Sequence, residues 1–177
     1  DVEAVERLID DNTCCLFLEI MTNPQLEVVD VRALTEIAHQ HGIPVIADTT
    51  LIPFTQFSAK DLGIDLEVVS STKYISGGAT SLGGLVIDYG TFPSIGKRLL
   101  NEMLFNLGAY MTPQVAYMQT LGLETLDVRY RAQAGNALEL AQRLRTLKPI
   151  SKVNYVGLED NPYHKLAVSQ YGETAGA

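Results

Sequence analysis

Apolar and polar positions follow two rhythms along this chain. Up to about residue 90, short apolar runs of strand length alternate with two helical segments and with glycine and proline breaks. From Ser94 onward the spacing is mostly helical. Val2, Val5, Leu8 and Ile9 recur at helical intervals and predict a first helix. Cys14 to Ile20 is an apolar run broken only by Glu19, and predicts a buried strand. Thr22-Asn23-Pro24 stops it, because the residue before proline is pushed away from helical geometry. Asp30 is a candidate N-cap for a helix through His41, with Val31, Leu34, Ile37 and Ala38 on one face. Gly42 ends that helix, and Ile43 to Asp48 predicts the next strand. Leu66 to Ser70 supplies a third strand and Gly84 to Tyr89 a fourth. Helices are expected over Ile95–Leu104, Pro113–Leu121 and Glu124–Leu147, the last closed by Pro149. Ser151 to Val156 reads as a strand that begins a new unit. No internal repeat interrupts this order.

A strand-helix-strand unit implies parallel strands, with their carboxyl ends on one edge of the sheet. Ligands of open α/β sheets sit at that edge. The second strand ends in Asp48, and the third in Ser70-Ser71-Thr72-Lys73. Ser70 and Thr72 are two apart and share a face in extended backbone. Gly77, Gly78, Gly83 and Gly84 follow, and allow backbone to approach a ligand closely. A carboxylate and a lysine in one crevice, with hydroxyls between, suit pyridoxal 5'-phosphate. Lys73 forms the Schiff base, Asp48 pairs with the pyridinium nitrogen, and Ser70 and Thr72 hold phosphate oxygens. Asn23, at the end of the first strand, reads either as a turn-forming residue before proline or as an amide for the cofactor's phenolic oxygen. Glu19 stands behind these groups or pairs with a base elsewhere, and Tyr74 reads as packing. The glycine loop has neither the G-x-x-x-x-G-K-[ST] nor the G-x-G-x-x-G order, so it gives no support to a nucleotide site.

The 177 residues suffice for one sizeable core. A net charge of -8 argues against nucleic acid as a partner. No apolar run reaches the ~18 residues that span a bilayer, and no basic segment precedes an apolar one at the start. Cys14 and Cys15 read as reduced, buried strand residues, which places the chain in the cytoplasm. His39, His41 and His164 show no metal-ligand spacing, so no metal is expected. A helical pattern already running at Asp1 and a stop after Thr174-Ala175-Gly176-Ala177 make both ends read as cut.

The runs Glu19-Ile20-Met21-Thr22-Asn23-Pro24, Ala47-Asp48-Thr49-Thr50, Ser70-Ser71-Thr72-Lys73-Tyr74 and Thr80-Ser81-Leu82-Gly83-Gly84 resemble the trans-sulfuration family. These are the Cys/Met-metabolism pyridoxal-phosphate enzymes, and the match in order and spacing covers about residues 1–160. Leu121-Gly122-Leu123-Glu124-Thr125-Leu126 is similar to the family's later helices, and with Thr80-Ser81 looks most like its O-acetylhomoserine sulfhydrylase branch. The resemblance implies the aspartate aminotransferase-like fold (fold type I): an α/β domain with a mostly parallel sheet and helices on both faces. Residues 1–148 would be the second half of that cofactor-binding domain, and residues 149–177 the beginning of a small C-terminal domain.

It also implies roles for the residues. Lys73 is the Schiff-base lysine and then the mobile acid/base, Asp48 holds the pyridine nitrogen protonated, Ser70 and Thr72 contact phosphate, and Asn23 lies beside the phenolic oxygen. The implied reaction is γ-replacement on an O-acylhomoserine by sulfide or a thiol, in a homo-oligomer, dimer or tetramer. The alternatives are a cystathionine or methionine γ-lyase-type elimination, and a truncated relative that folds without turnover. The family often has Asp-Asn-Thr at residues 48–50 and Gly-His-Gly at residues 77–79, where this chain differs. Its phosphate loop, stacking aromatic ring and carboxylate-binding arginine have no counterpart in these 177 residues, and Arg98, Arg129 and Arg131 do not match the context of that arginine.

Overall fold

The computed structural model describes residues 2–173 and 176. Asp1, Thr174, Ala175 and Ala177, on which part of the reading of cut ends rests, lie outside the described residues. The first helix is α1 (Val2–Leu8), and the first strand is β1 (Leu16–Glu19). Helix α2 (Val31–Gln40) starts where the carboxylate of Asp30 accepts from Ala33 N at 3.1 Å. It leads into β2 (Val45–Asp48), then β3 (Leu66–Val69) and β4 (Leu85–Asp88).

The sheet order is β1-β2-β3-β4. The first two pairings are parallel, and β4 runs antiparallel to β3. The mostly parallel α/β sheet is thus as expected. One face carries Leu18, Val45 and Ala47, which pack with Val31, Leu34 and Ala38 of α2 in the main core. On the other face, α3 (Pro93–Arg98) lies close to β4: a Cβ on Gly96 would collide with the carboxylate of Asp88.

Several expectations need adjustment. The helix over Ile95–Leu104 is α3 followed by a π-helical stretch, Leu99–Asn106, whose wider turns are exposed to solvent. Helices α4 (Pro113–Leu123) and α5 (Leu126–Leu144) lie within the expected spans to within two or three residues. Ser151–Val156 forms no strand, since it pairs with no ladder among the described residues. Beyond it a helix the sequence pattern did not predict, α6 (His164–Tyr171), folds back on the main core through Ala167 and Tyr171.

Cys14 and Cys15 are not buried strand residues. A turn held by the Asp10 carboxylate delays the strand to Leu16, leaving Cys14 exposed and Cys15 partly so; both are free thiols. No helix among the described residues is long and apolar enough to cross a membrane.

Candidate active site

The carboxyl ends of the three parallel strands open on a cavity of about 530 Å³. Asn23, Asp48, Ser70 and Lys73 all line it, so four residues from three separate stretches of sequence meet at one sheet edge. Local structure explains each position. Glu19 and Asp48 end their strands directly opposite one another in the ladder. The Asp48 side chain is half-buried, and its carboxylate accepts from Thr50 N at 2.9 Å. That bond closes the turn by which the chain leaves β2. Thr50 Oγ1 accepts from Ser70 N at 2.8 Å, which fixes Ser70 relative to Asp48.

After Ser70 the backbone turns. Lys73 N donates to Ser70 O, Ser76 N to Ser71 O, and Ser76 Oγ to Thr72 O. The turn leaves the Lys73 side chain exposed at the cavity mouth. Thr72 does not line the cavity. Its hydroxyl accepts from Gly83 N at 2.9 Å and donates to Gly83 O at 3.2 Å, pinning the glycine loop. The positive φ of Gly77 and Gly78 (77° and 133°) requires glycine at this wall.

Tyr74 lines the cavity and packs edge-on against Tyr130, with centroids 5.2 Å apart. Burial pushes its phenol above the usual tyrosine range. Glu19, ambiguous in the sequence, also lines the cavity and accepts from Asn23 N at 3.2 Å. Sequence reasoning missed Arg129 and Gln133 of α5, which complete the wall. Arg129 is held in place by donation to Gly122 O at 2.7 Å and Thr125 Oγ1 at 2.9 Å. The spacing of α5 gives no sign that these two residues face strand ends at Glu19, Asp48 and Ser70, far earlier in the chain. Among the described residues no group of three or more metal-ligating side chains converges.

The donor set fits pyridoxal phosphate: an amine for its aldehyde, a carboxylate for its ring nitrogen, a hydroxyl for its phosphate and an amide for its phenolic oxygen. Comparison with known proteins agrees. A family described as Cys/Met metabolism PLP-dependent enzyme matches residues 1–176. Canavanine gamma-lyase of Pseudomonas canavaninivorans is 38% identical over 100% of this chain and 44% of its own length. A Campylobacter jejuni structure described as an O-acetylhomoserine (thiol)-lyase, which holds a pyridoxyl-lysine monophosphate, superposes with a TM-score of 0.91 at 30% identity. That match covers 99% of this chain and 50% of the other. The O-acetylhomoserine sulfhydrylase of Wolinella succinogenes gives 0.84 at 36% identity, over 99% and 55% of the two chains. The chain spans about half the length of the curated relatives it matches.

Proposed function

The chain belongs to the Cys/Met metabolism family of PLP-dependent enzymes, and from that premise we propose that the whole protein replaces the γ-substituent of an O-acylhomoserine with sulfide or a thiol. The observation that carries this reading is the convergence of Asp48 and Lys73 on one cavity, with Asn23 and Ser70 beside them. When bound, pyridoxal phosphate supplies the electron sink for carbanion chemistry. The residues of this chain do the rest. Lys73 holds the cofactor covalently, then as a free amine moves protons at the substrate's α- and β-carbons. A general base of this kind contributes roughly 10²–10⁴-fold. Asp48 keeps the proton on the ring nitrogen. Asn23 donates to the phenolic oxygen. Ser70 donates to the phosphate, and Thr72 joins it when its hydroxyl turns from Gly83 O. Residues 1–148 belong to the cofactor-binding domain, and residues 149–177 begin the next one.

The exposed apolar side chains of Phe105, Leu107 and Tyr110 support a homo-oligomer. The assembly works in the cytoplasm on small amino acids. The similarity to a γ-lyase over the whole chain favours one second reading, elimination from the same γ-carbon without an added nucleophile.

The test is a visible absorption spectrum of the purified protein with pyridoxal phosphate, beside Lys73→Ala. A yellow band that survives dialysis and disappears in the variant supports the cofactor assignment. A band that persists in the variant, or none in the parent, overturns it. Homoserine esters with and without sulfide then separate replacement from elimination.

A further inference from the structure

Behind the strand ends, on the face opposite the cavity, stands a carboxylate that the proposed chemistry does not use. Glu67 is in the middle of β3, in register with Ala47 of β2 and Ile87 of β4, and has no exposed surface. Thr49 Oγ1 donates to one of its oxygens at 2.6 Å, and Tyr89 OH donates to the other at 2.7 Å. Both lengths are those of well-formed O–H···O hydrogen bonds. No lysine, arginine or histidine forms an ion pair with Glu67 among the described residues. A buried carboxylate without a cation is costly, and an apolar side chain of similar volume would serve the core better. Its neighbours on this face of the sheet, such as Ala47 and Val69, are apolar.

The link it makes is specific. Thr49 is fully buried and immediately follows Asp48. Its backbone N donates to Val68 O, and its side chain is tied to Glu67. The next residue, Thr50, is tied from the cavity side to Ser70. The exit from β2 is therefore clamped to β3 on both faces, and Asp48 is the residue that the clamp orients.

We propose that Glu67 is a positioning residue that, through Thr49, sets the direction in which the Asp48 carboxylate meets the ring nitrogen of the cofactor. This rests on the assignment of the cavity to pyridoxal phosphate, and the experiment separates the two. Four variants are compared with the parent protein: E67L, which removes the carboxylate at similar volume; T49V, which removes the hydroxyl alone; T49S, which keeps it; and the double variant E67L/T49V. E67L and T49V are expected to raise the dissociation constant for pyridoxal phosphate about tenfold, the loss expected for one buried hydrogen bond. They are also expected to move the visible absorption maximum, which a general loss of stability would not do. T49S is expected to match the parent, and the double variant to be no worse than E67L, because both changes break one link. T49V leaves the Glu67–Tyr89 bond in place and carries the test should E67L not fold.

Amide exchange on the protein without cofactor gives an independent reading. Protection of the Thr49, Thr50 and Ser70 amides is expected to fall in E67L and T49V. Parent-like affinity and absorption in both variants overturn the proposal, and so does unchanged amide protection. A visible band that does not depend on Lys73 overturns the cofactor assignment instead, and the exchange measurement still decides the role of Glu67.

Discussion

Glu19 and Asp48 stand directly opposite each other at the ends of adjacent parallel strands, and both carboxylates line the same cavity. Their surroundings differ. Asp48 is half-buried and bound to the turn that follows it, whereas Glu19 is exposed and bound to the backbone of Asn23. Two acids in equivalent places on neighbouring strands are therefore suited to different tasks: Asp48 to hold a charge in a partly dry site, and Glu19 to shape the turn that presents Asn23. Lys73 and Arg129 in the same wall offset the paired negative charge.

Asp48→Asn keeps an oxygen for Thr50 N and removes only the charge. The turnover number is expected to fall roughly 10²–10³-fold, the scale of losing one preorganised electrostatic contact, with an unchanged circular dichroism spectrum. Glu19→Gln likewise keeps the bond to Asn23 N, and is expected to cost less than about tenfold because its side chain is solvated. Steady-state kinetics on the two variants side by side check this, and equal losses would show that the burial difference has no chemical consequence.

Gly122 lies where the end of α4 presses on the turn after Lys73. A Cβ there would overlap the carbonyl of Ile75. Gly122→Ala is expected to destabilise the protein by about 1–3 kcal/mol through overpacking, and to weaken cofactor binding because the backbone of Gly77 and Gly78 shifts. Urea unfolding and cofactor titration of the variant measure both effects. A variant as stable as the parent would mean that the helix end moves freely.

Gln170 of α6 reaches back to the start of α2. Its carbonyl accepts from Val31 N, and its amide donates to Val29 O, each at 2.9 Å. Gln170→Ala leaves a buried backbone N–H without a partner, and is expected to cost about 1–3 kcal/mol. Gln170→Glu keeps the acceptor for Val31 N and loses the donor, so its loss is expected to be smaller at low pH, where a protonated carboxyl can donate. Unfolding curves at pH 5 and pH 8 distinguish the two.

Buried and half-buried tyrosines set the alkaline limit. Burial raises the phenols of Tyr74, Tyr89, Tyr130, Tyr155 and Tyr171 above their ordinary values in the folded protein. A group that holds its proton more tightly when folded leaves stability intact below the unfolded pKa, which for tyrosine is about 10. Above that pH the unfolded chain ionises first, and stability falls. Denaturant midpoints are expected to be level between pH 7 and 9 and to drop beyond about 10. Tyr130→Phe is expected to flatten the drop, while losing about 1 kcal/mol at neutral pH for the hydrogen bond to Leu51 O.

The sheet and one edge of the site were legible because they rest on local signals. Apolar runs of strand length ending near Glu19 and at Asp48, separated by one helical segment with an N-cap and a terminal glycine, fix the parallel order, and the next apolar run carries Lys73 to the same edge. Asn23 was placed at that edge by the same reasoning. The exposed π-helical stretch was not legible, since a wider helical turn has no period of its own in eight residues. The position of Cys14 is not legible because an apolar run reads as strand from its first residue, whereas the Asp10 turn decides where the ladder begins.

By itself the sequence determined the order of elements and the chemistry carried at the strand ends, because both follow from residues close together in the chain. Tertiary structure alone decided which distant groups complete the site. Arg129 and Gln133 enter the cavity wall only because Leu126 of α5 and Gly122 of α4 pack against the turn after Lys73 and the end of β3. Glu67 becomes a buried, doubly hydrogen-bonded carboxylate only because β2 and β4 bring Thr49 and Tyr89 to either side of it. The physical reason is the same in each case: a side chain's partners 18 or more residues away are set by packing and register, which no local pattern of apolar and polar positions encodes.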